Sequence, residues 1–579
     1  MREEFRLRMA LVAGGVGLFA LLILARLFYI QNSAEAEAFR IQADVNEYQI
    51  TYLYPPRGEI RDRQGHLLAG NELVYEVGVA LDAVNDPKTL AAALSGALGL
   101  DDEQVYAHLL HPAPGEKYWM VRDFVSRDPV QTLRQMQEQL EASGKPLPSL
   151  RGLVFREHLM RSYPEKSLAS NVLGFVNREN RGYFGIEEKY NDLLAGRPIA
   201  VKVPTNPLQA METPRVPQGT SLILSLDRTL QAKMEALADQ ALQEYGAKRV
   251  VIVVMQPRSG EILAMATTLR MDLNQFWKYA EIYPKAVDFN PAISYAYEPG
   301  SVVKIFPMAA ALEVGLVTPD TPFWDTGSIL VGGRYLYNWN SAAWGRQDMV
   351  GCLQHSLNVC LAWVALQLGA PRFYEFMDRF GFGHPTGIDL AAEAAGRLKK
   401  PGDADWYPVD LGTNAFGQGI AATPIQVLMA ASAFANEGRM VIPHVVSAIE
   451  RDGSRYTLPP QYAARTISPK TAHTLSAMLA AALEGEDSAA KVPGYRLAGK
   501  TGTAQIPTPL GYSEARTNAS FIGWGPLDDP QFMIYVWLEE PSTSIWASET
   551  AAPLFARAAE QVILHLKIPP DAVRMAKEH

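Results

Sequence analysis

Residues 298–304 read Glu298-Pro299-Gly300-Ser301-Val302-Val303-Lys304. Pro-Gly interrupts the chain just before Ser301, so Ser301 is expected to open a helix that carries Lys304 on the same face, three residues on. A serine hydroxyl becomes a competent nucleophile when a base takes its proton. A lysine serves as that base once burial or a neighbouring cation depresses its pKa. The helix N-terminus also offers backbone N–H groups to a developing oxyanion. Alone, S-x-x-K is common, and its ordinary reading is a helix cap beside a solvated lysine. Two further stretches change the balance. Ser356-Leu357-Asn358 falls at a break in a helical stretch, where polar side chains can turn inward. Lys500-Thr501-Gly502-Thr503 follows Arg496-Leu497-Ala498-Gly499 on an expected strand, with Gly502 leaving room for a ligand backbone. The three stretches in this order, each on a fitting element, are rare by chance.

Outward from that core, residues 221–226 alternate as a strand and Asp227 caps a helix through about Tyr245. Arg249–Met255 and Glu261–Thr267 form a hairpin around Gln256-Pro257-Arg258-Ser259-Gly260. Tyr495–Thr503 and Ala519–Glu539 supply three more antiparallel strands, and a helix runs from Glu549 to Leu566. Helical stretches at 301–315, 349–369, 371–380, 423–437 and 469–484 fill the middle. Strands at both ends with helices between them describe an α+β domain whose sheet unites the termini. Pro307 is expected to kink the Ser301 helix. Between residues 31 and 220 lie short strands, turns and charged helices, including Asp128–Ser143 and a Pro-rich segment at Pro204–Pro217, with no catalytic cluster. Residues 31–55 read as a helix running into an alternating strand at Tyr48–Tyr54.

Met9–Ala25 holds no charged residue, and apolar character resumes after Arg26 through Ile30. That run of about 22 residues is long enough to cross a bilayer. Arg2, Arg6 and Arg8 precede it and Glu35 and Glu37 follow, so residues 1–8 are expected inside and the rest exported. A cleaved signal peptide ending near Ala34-Glu35-Ala36 is the competing reading, opposed by the length of the apolar run. The 579 residues, 48% hydrophobic with a formal charge of −9, suit several cores and exclude nucleic acid as the main partner. Cys352 and Cys360, taken on one continuous helix, would stand about 12 Å apart, too far for a disulfide. They read as buried free thiols, and no residue set points to a metal.

The three stretches together resemble those of the penicillin-binding proteins, and within them the class B, monofunctional transpeptidases. The resemblance covers nearly the whole chain. Arg57-Gly58-Glu59-Ile60-Arg61-Asp62-Arg63-Gln64-Gly65 with Leu68-Ala69, and Gly182-Tyr183-Phe184-Gly185-Ile186-Glu187, are similar to signatures of the class B spacer. Their glycines and charges also read as turn formers and interdomain ion pairs. Phe380-Gly381-Phe382-Gly383, Thr386-Gly387-Ile388-Asp389-Leu390, Phe416-Gly417-Gln418-Gly419 and Thr423-Pro424 match the catalytic domain. The resemblance implies a cytoplasmic tail (1–8), a transmembrane anchor (9–30), an elongated non-catalytic pedestal or dimerisation-type domain (31–220), a transpeptidase domain (221–567) and a tail (568–579).

It also implies a D-alanyl-D-alanine transpeptidase that cross-links peptidoglycan stem peptides and is acylated by β-lactams. Ser301 would be the nucleophile, Lys304 its base, and Ser356 a proton relay in the field of Lys500. Asn358 would bind the substrate amide, and Thr501, Gly502 and Thr503 its carboxylate end. The backbone N–H groups of Ser301 and Thr503 would form the oxyanion hole. No cofactor or metal is implied. The implied partner is a SEDS-type glycosyltransferase in the bacterial cytoplasmic membrane. Competing readings are a β-lactamase or carboxypeptidase on the same fold, a β-lactam sensor, and a catalytically idle scaffold. A β-lactamase needs neither anchor nor spacer, residues 1–8 leave no sensor output domain, and a scaffold need not keep all three motifs. Pro55-Pro56-Arg57 looks elongation-type, while Ser356-Leu357-Asn358-Val359 and Ala551-Ala552-Pro553 look division-type.

Overall fold

The computed structural model describes residues 2–33, 36, 48–204, 216–284, 288–485, 488–509 and 511–576. It divides into two units, Met1–Pro56 with Gly196–Gln218, and Arg57–Ala195 with Gly219–His579. In the first unit, a helix spans Arg2–Asn32, and its segment Phe5–Asn32 is long and apolar enough to cross a membrane. Its apolar side chains, Leu11, Phe19 and Leu24 among them, are exposed. Tyr48–Leu53, the expected alternating strand, pairs antiparallel with Ile199–Pro204. The helix expected before that strand, and most of the Pro-rich segment, lie outside the described residues.

In the second unit, the sheet uniting the domain ends has five strands: β1 (Arg249–Met255), β2 (Ile262–Thr267), β3 (Ala498–Thr508), β4 (Gly511–Gly525) and β5 (Phe532–Glu539). Their order is β2-β1-β5-β4-β3, antiparallel throughout, which leaves β3 on an edge. The helices are α1 (Arg228–Glu244), α2 (Ile305–Glu313), α3 (Met349–Gln354), α4 (Asn358–Arg379), α5 (Pro424–Ala435), α6 (Pro469–Gly485) and α7 (Ala551–Leu566). β1 is buried along its length because both faces are covered, and its period of two sorts its side chains. Val250, Ile252 and Val254 pack among Leu230, Met234 and Phe555 of α1 and α7. Val251, Val253 and Met255 join Ile305, Phe306, Val427 and Leu475 of α2, α5 and α6. Within α4 the helix is interrupted at Gly369 (φ +74°), two residues before Pro371, so the two expected helices meet there.

Two expectations are corrected. Pro307 does not kink a helix. Gly300–Lys304 is a 3₁₀ helix and α2 starts only at Ile305, which puts Pro307 in the first α-turn, where no intrahelical N–H bond is required of it. Cys352 and Cys360 are not free thiols. They form a disulfide with Cα atoms 6.0 Å apart, because the chain turns at His355–Leu357 and α3 and α4 are separate helices. The 12 Å separation belonged to a continuous helix that does not exist.

A second, mixed sheet joins the earlier part of the chain to the later part. Ser221–Leu224 lies between Val446–Arg451, antiparallel to it, and Ile60–Arg61, parallel to it. Beyond Ile60–Arg61 come Leu67–Ala80, Tyr118–Val125 and Leu153–Ser162. Beside that join sits a buried ion cluster. Glu187 accepts Arg57 Nε at 2.7 Å on one oxygen and Arg161 Nε at 2.7 Å on the other, and all three side chains are almost wholly buried. Arg57 also donates to the Asn191 side chain and to the Glu187 and Asn180 carbonyls. Asp62, fully buried, accepts the backbone N–H of Arg228 at the start of α1, and Glu165 pairs with the Arg228 side chain. The signature residues Arg57, Asp62 and Glu187 are thus structural ties. Glu187→Ala, which strands two buried guanidinium groups, is expected to cost about 3–5 kcal/mol of stability, read as a lower urea midpoint by tryptophan fluorescence.

Candidate active site

Ser301 is the second residue of the 3₁₀ helix, half-buried, and Lys304 is its last, fully buried. In a 3₁₀ helix side chains three apart eclipse one another, so this turn aligns Ser301 with Lys304 more closely than an α-turn would. The turn is held against the edge strand. Gly300 has φ +62°, and a Cβ there would stand 2.9 Å from the Thr503 carbonyl oxygen and 3.0 Å from Ala504 Cβ. Its N–H donates to the Gly417 carbonyl at 3.2 Å, and a Cβ on Gly417 would meet the Gly300 carbonyl oxygen at 2.1 Å. Both glycines are required by close backbone approach. Gly502 is the third. The space where its Cβ would stand is filled by Ser520 Oγ at 2.5 Å, the Pro299 carbonyl oxygen at 2.8 Å and Val302 at 2.8 Å. On that side the glycine admits the chain's own Ser301 turn rather than the ligand expected from the sequence.

Ser356 sits between α3 and α4 with φ +52°, a left-handed conformation that costs a non-glycine residue about 1–2 kcal/mol. The turn aims the Ser356 hydroxyl at two lysines. Lys304 Nζ lies 3.0 Å from Ser356 Oγ and 2.5 Å from its carbonyl oxygen, and Lys500 Nζ lies 3.0 Å from the same Oγ. Burial, and secondarily the charge of Lys500, hold the Lys304 pKa well below its ordinary 10.5. Burial thus favours the uncharged amine, the form that has a lone pair to accept a proton. Two of its N–H groups are matched by the Ser356 carbonyl and hydroxyl. The Ser356 oxygen accepts from both lysines, so its own proton is left to donate.

Lys500, Thr501, Gly502 and Thr503 lie on edge strand β3. Thr501 Oγ1 accepts from Lys500 Nζ at 3.3 Å and Thr503 Oγ1 accepts from Ala547 N at 3.0 Å. Each hydroxyl keeps its proton for an anionic ligand. Asn358 opens α4, its amide donating to the Tyr337 carbonyl at 3.0 Å. Next to it, the orphan N–H of Val359 is capped by Asn338 Oδ1 at 3.1 Å, and Asn338 is itself held by buried Asp325 at 2.7 Å. Trp339 donates to the His355 carbonyl and packs edge-on against Trp546 at 5.1 Å between ring centres.

Sequence reasoning gave no role to Glu298, although it stands inside the quoted stretch. One carboxylate oxygen accepts from Gly419 N at 3.0 Å and Tyr512 Oη at 3.2 Å, which ties the turn before Ser301 to the Phe416–Gly419 loop and to β4. Burial raises its pKa. A charged residue directly before Pro-Gly-Ser was the signal available for it.

Residues 250–560 match the penicillin-binding protein transpeptidase domain, and residues 52–213 the penicillin-binding protein dimerisation domain. The chain is 31% identical to stage V sporulation protein D of Bacillus subtilis, over 91% of this chain and 80% of that protein. It is 28% identical to the peptidoglycan D,D-transpeptidase MrdA of Escherichia coli, over 86% of this chain and 84% of that one. Among solved structures it resembles penicillin-binding protein 3 of Mycobacterium tuberculosis complexed with aztreonam. That likeness has a TM-score of 0.68 and 26% identity, covering 90% of this chain and 98% of that one.

The burial of Lys304 has a consequence for stability. In the unfolded chain the amine titrates at its ordinary 10.5, and in the fold it titrates much lower. Between those two values the unfolded state holds the extra proton, so folding is favoured as pH rises through the window. Replacing the lysine removes that dependence. The stability of the native protein relative to Lys304→Met is expected to rise by up to about 1.4 kcal/mol per pH unit within the window. Parallel urea titrations of both proteins between about pH 6 and pH 9 measure it, and a pH-independent difference would mean that Lys304 keeps its proton in the fold across that range.

Proposed function

Because this chain belongs to the class B penicillin-binding proteins, we propose that it is a membrane-anchored peptidoglycan D,D-transpeptidase acting through a Ser301 acyl-enzyme. The observation that carries this reading is the buried Lys304, its pKa held well below the ordinary value, one 3₁₀ turn from Ser301 and linked to Lys500 through Ser356. The donor is a stem peptide ending in D-Ala-D-Ala. Ser301 Oγ attacks the carbonyl carbon of the penultimate residue while Lys304 Nζ takes the hydroxyl proton. Negative charge develops on the carbonyl oxygen, and the backbone N–H groups of Ser301 and Thr503 are assigned to it.

The C–N bond then breaks. The proton passes from Lys304 through Ser356 to the leaving amine, D-alanine departs, and an ester to Ser301 remains. The amine of a second stem peptide attacks that ester, and the proton movements run in reverse. Lys500, Thr501 and Thr503 hold the donor's terminal carboxylate, and Asn358 hydrogen-bonds its amide. A β-lactam supplies a strained amide in place of the dipeptide and acylates the same oxygen.

The Phe5–Asn32 helix serves as a single membrane anchor with the amino terminus inside, set by Arg2, Arg6 and Arg8. The Cys352–Cys360 bridge supports a catalytic part outside the cytoplasm, since disulfides persist in oxidising compartments. Residues 31–220 serve as the pedestal, and residues 221–567 as the catalytic domain. A SEDS-type glycosyltransferase supplies the glycan strand, contacting this chain through the pedestal.

The full-length protein in membranes, treated with a fluorescent penicillin and digested, is expected to carry the adduct on Ser301, with none in Ser301→Ala. An adduct on another residue would overturn the assignment. With lipid-linked precursor added to the same membranes, surface substitutions within residues 57–195 are expected to lower glycan polymerisation while leaving the Ser301 adduct intact. If none separates the two activities, the pedestal is not the contact.

A further inference from the structure

The disulfide has no part in the chemistry above, yet its place in the chain is specific. Cys352 is four residues before Ser356 and Cys360 four residues after it, and they are the only two cysteines of the sequence. The bridge therefore closes a nine-residue ring with Ser356 at its centre. Cys352 lies on α3 and Cys360 on α4, so the bond links the two helices covalently across the turn. The ring is braced from within. The Cys352 carbonyl accepts Leu357 N at 3.0 Å, and Ser356 N reaches the Leu353 carbonyl at 3.3 Å. Both cysteines are wholly buried.

The turn has reason to need a clamp. Ser356 is in the left-handed region, which a serine leaves readily when nothing holds it. Its hydroxyl must stay within 3.0 Å of both Lys304 Nζ and Lys500 Nζ, which approach from different elements. On the α4 side the other restraints are Asn338 on Val359 N and the Asn358 amide on the Tyr337 carbonyl. These hold the start of α4 to the 323–344 segment, whose Trp339 bonds the His355 carbonyl at the end of α3, and the disulfide adds the one covalent tie between α3 and α4 beyond the turn itself.

We infer that the Cys352–Cys360 bridge is a positioning device for the catalytic reaction, holding Ser356 where its hydroxyl joins Lys304 to Lys500. This rests on the transpeptidase reading of the site. The bridge touches neither substrate nor reacting atoms and acts only through Ser356. Without it the turn relaxes, Lys304 loses its acceptors and admits water, and its amine becomes easier to protonate. A displacement of about 1 Å in a catalytic group is enough to cost about 10²-fold in rate.

The test is the full-length Cys352→Ala/Cys360→Ala protein, with the serine pair as a second version, each reacted with a fluorescent penicillin per titrated active site. Acylation is expected to fall about 10- to 100-fold, with its pH midpoint moved upward. In a Ser356→Ala background, removing the bridge is expected to change the rate less than about twofold, since coupled positions are not additive. An unchanged rate and pH midpoint, with only the melting temperature lowered, would make the bridge a fold staple and overturn the inference. Equal losses in both backgrounds, failure of both variants to fold, or two alkylatable thiols in the native protein would also overturn it. If the native protein itself takes up no penicillin on Ser301, the transpeptidase reading fails first, so the two failures are distinguishable.

Discussion

Burying an amine without a carboxylate beside it is the constraint on which this structure turns. Lys304 is completely buried, and the nearest charge acting on it is another lysine. Desolvation of a charged ammonium is expensive, so burial shifts the amine towards its neutral form. A lysine so shifted is what the proposed reaction asks of its base. The rest of the site follows from supplying this amine with partners that do not charge it. The Ser356 carbonyl and hydroxyl are dipoles, not anions, and they satisfy its N–H groups without restoring the proton. A nearby aspartate in their place would pull the pKa back up and remove the lone pair.

Glycines do the complementary work. Gly300, Gly417 and Gly502 each stand where a Cβ would collide with backbone or a packed side chain. Together they let the 3₁₀ turn bearing Ser301 lie directly on edge strand β3. The outer backbone of that strand is then free of a sixth strand in the described sheet, and an extended peptide can add to it. Farther away, Arg57, Glu187 and Arg161 lock the earlier segment internally by buried charge, while Asp62 and Glu165 on Arg228 and a shared apolar core, Ile60, Val172 and Ile186 with Val251 and Ile305, join it to the later part. Such ties are specific in geometry and costly to break singly.

Much of this was legible in the sequence where the determinants are local. The hairpin at Gln256–Gly260, the Asp227 cap and the break near Pro371 came through as read, because turn chemistry and capping act over a few residues. The Lys500 strand was found but cut short. β3 continues to Thr508 and β4 begins at Gly511, since the pairing there is set by strand partners and not by alternation. Pairing of Ile60–Arg61 with Leu222–Ile223 was out of reach, a two-residue strand carrying no periodic signal. The cysteines were misjudged for an instructive reason. The reading that found a helix break at Ser356 also measured Cys352 to Cys360 along an unbroken helix, and the two statements are incompatible. At the site, Lys304, Ser356 and Lys500 meet through hydrogen bonds and Ser301 shares the turn of Lys304, whereas Glu298, Asn338 and Gly417 declare themselves only through contacts in space.

The central claim is the charge state of one side chain, and it can be observed directly. Isotope-labelled lysines in the native protein can be titrated by nuclear magnetic resonance, with Lys304 assigned by its loss in Lys304→Arg. The account predicts a Lys304 signal that is already that of a neutral amine at physiological pH, and that titrates higher when Lys500 is replaced by methionine. A Lys304 signal that loses its proton only near 10.5, the ordinary lysine value, would contradict the account.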